Sequence, residues 1–163
     1  MQKILTLSIP INFGQKKPGV SKGSDELYKS YFKDKFEGLN YEHKTFELKY
    51  KEDYKNLFQL QQEISAEKEN YFFSIFLGGD HSLAMATISG LYLNSPKEKC
   101  VIWIDAHTDC NNLGESKTGN LHGTPVAGLL GDLEEPFDNY KCLDYNEICY
   151  IGTRSVDDYE KKY

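Results

Sequence analysis

The segment Asp105-Ala106-His107-Thr108-Asp109 sets two carboxylates and an imidazole directly after the apolar run Val101-Ile102-Trp103-Ile104. Gly78-Gly79-Asp80-His81 upstream and His122 downstream add further donors. Oxygen and imidazole ligands without a thiolate suit Mn, Fe, Ni or Zn better than Ca. Donor type does not choose among those four. Such a set fits a metal site that activates water. The alternative is an Asp/His hydrogen-bond network at a strand end. Spacing constrains the first reading. On a straight strand Asp105 and Asp109 stand about 13 Å apart, whereas metal–ligand bonds are about 2 Å. Either the backbone curls after Asp105 or two ions share the set. Two-metal hydrolytic sites hold their ions about 3.5–4 Å apart, and the Asp105 carboxylate can bridge such a pair. His81 can arrive from a neighbouring strand end.

His122 lies between Gly119 and Gly123, which permit tight backbone turns. A histidine beside a metal-activated water can move protons near neutral pH; a structural loop histidine is the alternative. Asn111, Asn112, Ser116 and Thr118 can hold a carboxylate through neutral hydrogen bonds, or they make an ordinary polar loop. Cys110 reads as a packed thiol, Trp103 as core and His43 as a surface residue.

The elements that must position these residues alternate between apolar runs and helical spacing, which predicts an α/β layer fold with a parallel sheet. Strands are predicted over 3–9, 44–50, 71–77, 100–104 and 148–151. Helices are predicted from Ser24, as N-cap, to about Phe36, and over 52–70, 81–94 and 125–130. Residues 12–23 and 132–145 read as loops, the second a surface loop. Three strands run into polar chemistry: Leu77 into Gly78, Ile104 into Asp105, and Ile151 into Gly152-Thr153-Arg154. In open α/β sheets ligands bind outside the carboxyl ends of strands, so all three point to one edge.

The 163 residues, 39% hydrophobic and 27% charged, suit one globular domain. The net charge of −6 argues against nucleic acid or an anionic membrane as partner and suits neutral or cationic small molecules. Met1 to Pro10 reads as a first strand rather than a signal peptide. No run approaches the roughly 18 apolar residues of a membrane span. Cys100, Cys110, Cys142 and Cys149 show no CxxC spacing and read as reduced thiols of a cytosolic chain.

Four segments carry a close resemblance to the ureohydrolases, and within them to the arginases: Gly78-Gly79-Asp80-His81-Ser82-Leu83, Trp103-Ile104-Asp105-Ala106-His107-Thr108-Asp109, Gly119-Asn120-Leu121-His122-Gly123-Thr124-Pro125-Val126 and Tyr150-Ile151-Gly152-Thr153-Arg154. Gly19-Val20 and Gly23 resemble an early glycine-containing loop of the same family. The resemblance implies a three-layer α/β/α fold, a homotrimer, and two manganese ions per complete subunit; the cysteine pattern places the chain in the cytoplasm. It implies His81, Asp105 and Asp109 on one ion, and Asp105 with His107 on the other, so that Asp105 bridges. His122 matches the family's proton-shuttling histidine. Asn111, Ser116 and Thr118 match positions that hold a substrate α-carboxylate; Asp157 and Glu160 match positions near an α-amino group. Ser116 and Thr118 exchange the hydroxyl types common in arginases. The family's Asp-x-Asp segment, which completes both metal shells, has no counterpart here; Asp157 and Asp158 do not match it. The resemblance therefore implies one arginase-like α/β domain over 1–163, incomplete at its C-terminal side. The reaction implied is hydrolysis of L-arginine to L-ornithine and urea, in arginine metabolism and the urea cycle. The alternatives are another ureohydrolase, acting on agmatine, a guanidino acid or formiminoglutamate, and an inactive binding or assembly subunit.

Overall fold

The computed structural model describes residues 3–95 and 98–162. Strand β1 (Ile4–Ile9) is the centre of a parallel three-stranded sheet, between β2 (Tyr41–Thr45) and β3 (Phe73–Gly78). Both faces of β1 are covered: Leu5, Leu7 and Ile9 are buried on one side, Thr6 and Ser8 on the other. A central parallel strand has this character because helices cover both faces of the sheet. On the Ser8 side lies α1 (Gly23–Leu27), where the Ser8 hydroxyl donates to the Ser24 carbonyl at 3.4 Å. On the Leu5 side lies α2 (Asp53–Glu67), whose Ile64 lines a cavity of about 230 Å³ together with Leu5, Leu7 and Phe76. The three-layer α/β/α arrangement implied by the resemblance is present.

Helix α3 (Leu83–Tyr92) packs tightly on α2. A Cβ at Gly90 would stand 2.8 Å from the Gln61 carbonyl. The buried Gln61 side chain ties the pair together, donating to Ser89 Oγ at 2.9 Å and to the Asn139 carbonyl at 3.1 Å. A second parallel pair, β4 (Val101–Ile104) and β5 (Ile148–Ile151), packs with α4 (Pro125–Leu130) around Trp103 and Leu129. No helix among the described residues is long and apolar enough to cross a membrane.

Several boundaries depart from the sequence reading. The second strand covers Tyr41–Thr45, not 44–50. Past Thr45 the backbone finds another partner: Asn56 Oδ1 accepts the N–H groups of Lys49 and Tyr50, both at 3.0 Å. The first helix starts before Ser24, whose hydroxyl bonds back to Ser21, and it passes into a π-helical turn at Tyr28–Phe32. His43 is half-buried rather than a surface residue, stacked on Tyr28 at 3.4 Å with Nδ1 donating to the Thr6 carbonyl at 3.1 Å. The segment 132–145 is irregular, but it is no mere surface loop: Leu133, Tyr140 and Leu143 are buried. The strands form two sheets instead of one. The edges of β3 and β4 are not bonded to each other and flank a cleft of about 530 Å³. Ile102 and Ile104 are consequently 60% and 76% exposed, although both belong to the apolar run that precedes Asp105.

Candidate metal centre

The ends of β3 and β4 meet. After Gly78 the chain bends sharply, and Gly79 is required there because a Cβ would collide with the Ile11 carbonyl. That turn delivers His81, whose ring stacks on buried Trp103 at 4.8 Å. From β4 the ladder continues one step, with Asp105 N–H donating to the Ile151 carbonyl at 3.1 Å. The backbone then curls, and Asp109 adopts the left-handed conformation with φ 52°, uncommon for a residue with a side chain. The conformation is held by α4. The N–H groups of Val126 and Ala127, free in a helix first turn, donate to the Asp109 carbonyl at 3.0 and 3.2 Å. The curl is the resolution of the spacing problem posed by a straight strand.

His81, Asp105 and Asp109 consequently offer ligand atoms that all lie within 4.8 Å of one another. His81 Nδ1 is 3.0 Å from Asp109 Oδ2 and 3.7 Å from Asp105 Oδ2. The other oxygen of Asp105 turns the opposite way. Its Oδ1 accepts the His107 N–H at 2.9 Å and lies 3.3 Å from His107 Nδ1. Burial disfavours the charged form of His81, but the Asp109, Asp105 and Asp80 carboxylates outweigh it and raise its pKa. Burial opposes ionisation of Asp105 as well, yet the His107 N–H and the His81 and His107 rings hold its pKa below the usual carboxylate range. The donor set fits a divalent cation. Asp109 Oδ2 is buried and close to His81, but it receives no well-aligned hydrogen bond. An oxygen so placed beside an imidazole and a second carboxylate suits a cation between them.

The remaining predicted residues gather at the same place. A cavity of about 220 Å³ is lined by His81, His107 and Asp109 together with Asn111, Ser116, Thr118, His122, Asp157 and Glu160. Asn111 Nδ2 donates to Asp157 Oδ2 at 3.1 Å, and Lys117 Nζ pairs with Asp157 Oδ1 at 3.2 Å. Ser116 and Thr118 hydroxyls are 3.4 Å apart. Asp105 and Asn112 are the predicted residues that do not line this cavity; the Asn112 side chain donates to the Asp132 carbonyl at 3.1 Å and accepts the Gly114 N–H at 2.9 Å. Glu160 is buried and both its oxygens are engaged by backbone N–H groups, those of Cys110 at 3.3 Å and Asp157 at 2.8 Å. Cys110 is packed as expected, its sulfur 3.1 Å from the Tyr150 hydroxyl. Sequence reasoning missed Trp103 as the platform under His81 and Lys117 as the partner of Asp157. The stacking has no local signal, since His81 sits in the turn after β3 and Trp103 on β4.

The comparisons with known proteins agree with this geometry. Residues 2–163 match the model described as the arginase family. Arginase-1 of Bos taurus is 34% identical over 179 aligned residues, covering 96% of this chain and 55% of the relative. The crystal structure of arginase from Bacillus subtilis superposes with a TM-score of 0.88 at 29% identity, covering 99% of this chain and 60% of that one. The formimidoylglutamase of Bacillus subtilis shares the fold, with a TM-score of 0.77 at 18% identity. The chain spans a little over half the length of these relatives. With a match over essentially its whole length, and with the β3 and β4 ends built as described, the chain belongs to the arginase family.

Proposed function

We propose that this chain carries the larger part of a site that hydrolyses L-arginine to L-ornithine and urea. The observation that supports it most is the meeting of His81, Asp105 and Asp109, two of which, His81 and Asp109, line the cavity that also holds Asn111, Asp157 and His122. His81, Asp109 and Asp105 would hold one manganese ion, and Asp105 with His107 a second. Bound there, a divalent pair lowers the pKa of water so that hydroxide is available near neutral pH.

The residues of the chain then divide the remaining work. Asp157, held by Asn111 and Lys117, faces the α-amino end of the substrate. Asn111, Ser116 and Thr118 offer neutral donors to the α-carboxylate. These contacts fix the guanidinium carbon near the carboxylates, which favour its positive charge. Water adds to that carbon, the bond to the chain nitrogen breaks, and the departing amine takes a proton through His122. The products are ornithine and urea, and no redox partner is needed. A homotrimer in the cytoplasm is part of the same proposal, checked by sedimentation and by fractionation.

Urea release measured on L-arginine, agmatine, a guanidino acid and formiminoglutamate, with manganese content determined on the same preparation, tests the reading. L-Arginine should be the preferred substrate. Preference for another of the four makes the protein a different ureohydrolase. Fewer than two tightly bound manganese ions and no urea from any of them would make it a binding or assembly subunit.

A further inference from the structure

Asp80 precedes His81 in sequence, but its side chain does not line the cavity; it turns toward the loop after β1. There Asp80 Oδ2 accepts the Gly14 N–H at 2.9 Å. The carbonyl of the same glycine accepts the His122 N–H at 2.9 Å. The other oxygen, Oδ1, is occupied by Ser82, through its N–H at 2.9 Å and its hydroxyl at 2.6 Å. Asp80 is buried, so its carboxylate depends on these donors. Gly14 is the residue the link needs, because a Cβ there would collide with the Asp80 carboxylate and the Ser82 side chain. A second tie from the same loop, Lys16 Nζ to the Thr118 carbonyl at 3.1 Å, holds the start of the His122 segment.

We propose that Asp80 is a positioning residue: through the Gly14 backbone it sets His122 at a fixed distance from the His81–Asp105–Asp109 cluster. The catalytic meaning of that distance rests on the proposed function; the link itself does not. Charge-assisted hydrogen bonds are about twice as strong as neutral ones, which suits Asp80 to hold a loop from another part of the chain. Asp80→Asn keeps one oxygen for Ser82 but turns an amide donor toward one of the present donors, so the link to Gly14 is the one lost.

The test uses the full-length protein with 13C-labelled histidines and Mn2+ as the probe. The four histidines of the chain give separate signals. His81 and His107 should broaden beyond detection, His122 should broaden partially, and His43 should stay sharp as the control. In Asp80→Asn, His81 and His107 should behave as before, while the paramagnetic broadening of His122 changes severalfold. Urea turnover should fall by about tenfold with KM within about twofold of the parent. Ser82→Ala, which spares the Gly14 link, should leave the His122 signal unchanged. Identical His122 broadening in Asp80→Asn and the parent would overturn the proposal. If Asp80→Asn does not fold, amide exchange in the parent decides: Gly14 and His122 should be protected alike, and His122 exchanging more than about tenfold faster would sink it. Should Mn2+ leave His81 and His107 sharp, the metal reading fails, and the exchange comparison still judges the link.

Discussion

The Glu160 carboxylate accepts the backbone N–H of Cys110 at 3.3 Å, across fifty residues of sequence. Its second oxygen accepts the Asp157 N–H at 2.8 Å. Glu160 thereby joins the curled segment after β4 to the segment that carries Asp157. The backbone next to Asp109 and the backbone of Asp157 are fastened to each other through one buried side chain.

Replacing that carboxylate should loosen both segments. Glu160→Gln presents one donor where two acceptors are needed, at a cost of about 1–3 kcal/mol. Urea unfolding at neutral pH should show the midpoint falling. An unchanged midpoint would mean that the two backbone N–H groups find other partners.

Asp105 directs one oxygen toward His81 and the other toward His107. Asp105→Asn weakens both directions at once. Calorimetric titration with Mn2+ should show affinity lowered by well over about tenfold and the stoichiometry reduced. Parent-like uptake would remove Asp105 from the ligand set.

His122 lines the cavity but, among the described residues, contributes to no ligand group. His122→Asn should therefore leave manganese content as it is while reducing turnover by about a hundredfold or more. Parallel loss of metal and activity would contradict the proton-transfer role.

His43 gives a pH dependence of defined sign. Burial lowers its pKa, and the Thr6 carbonyl and Asp25 offset this only in part. As pH falls through the ordinary value of about 6.5, the unfolded chain takes up the proton first. Stability associated with His43 is thus present above that value and is lost as pH falls toward the folded pKa. His81, with a raised pKa, contributes in the opposite sense over neighbouring pH values. The difference in unfolding midpoint between the parent and His43→Phe isolates the first effect. It should shift in favour of the variant as the pH is lowered, and a constant difference would refute the assignment.

The cysteines should divide by environment. Cys110 and Cys142 are pushed up to about 11 and about 12 by burial, while Cys100 and Cys149 are exposed. Thiolate is the reactive form. At mildly alkaline pH the native protein should release chromophore from Ellman's reagent quickly at two thiols, and at the other two only on unfolding. Fast reaction at all four would mean that the β4–β5 unit opens readily.

The sequence by itself determined the chemistry and the class of fold. Apolar runs of strand length separated by helical spacing specify a parallel α/β arrangement, because both faces of such strands must be buried. The donor types at His81, Asp105, His107 and Asp109 follow from residue identity, and three strand ends carrying polar residues indicate a shared edge. The tertiary structure decided everything that depends on partners far along the chain. The span of β2 was set by Asn56, which takes the Lys49 and Tyr50 N–H groups away from the ladder. The placing of His43 depended on Tyr28 and Thr6, and the separation of β3 from β4 left two sheets where periodicity reads as one. The curl that brings Asp109 back to His81 was likewise undecided by spacing, which allowed either a bend or a straight strand serving two ions. It is fixed by the first turn of α4 bonding to the Asp109 carbonyl. Local patterns carry burial and propensity, whereas the direction a side chain faces at a strand end is set by hydrogen bonds from elements that the pattern does not connect.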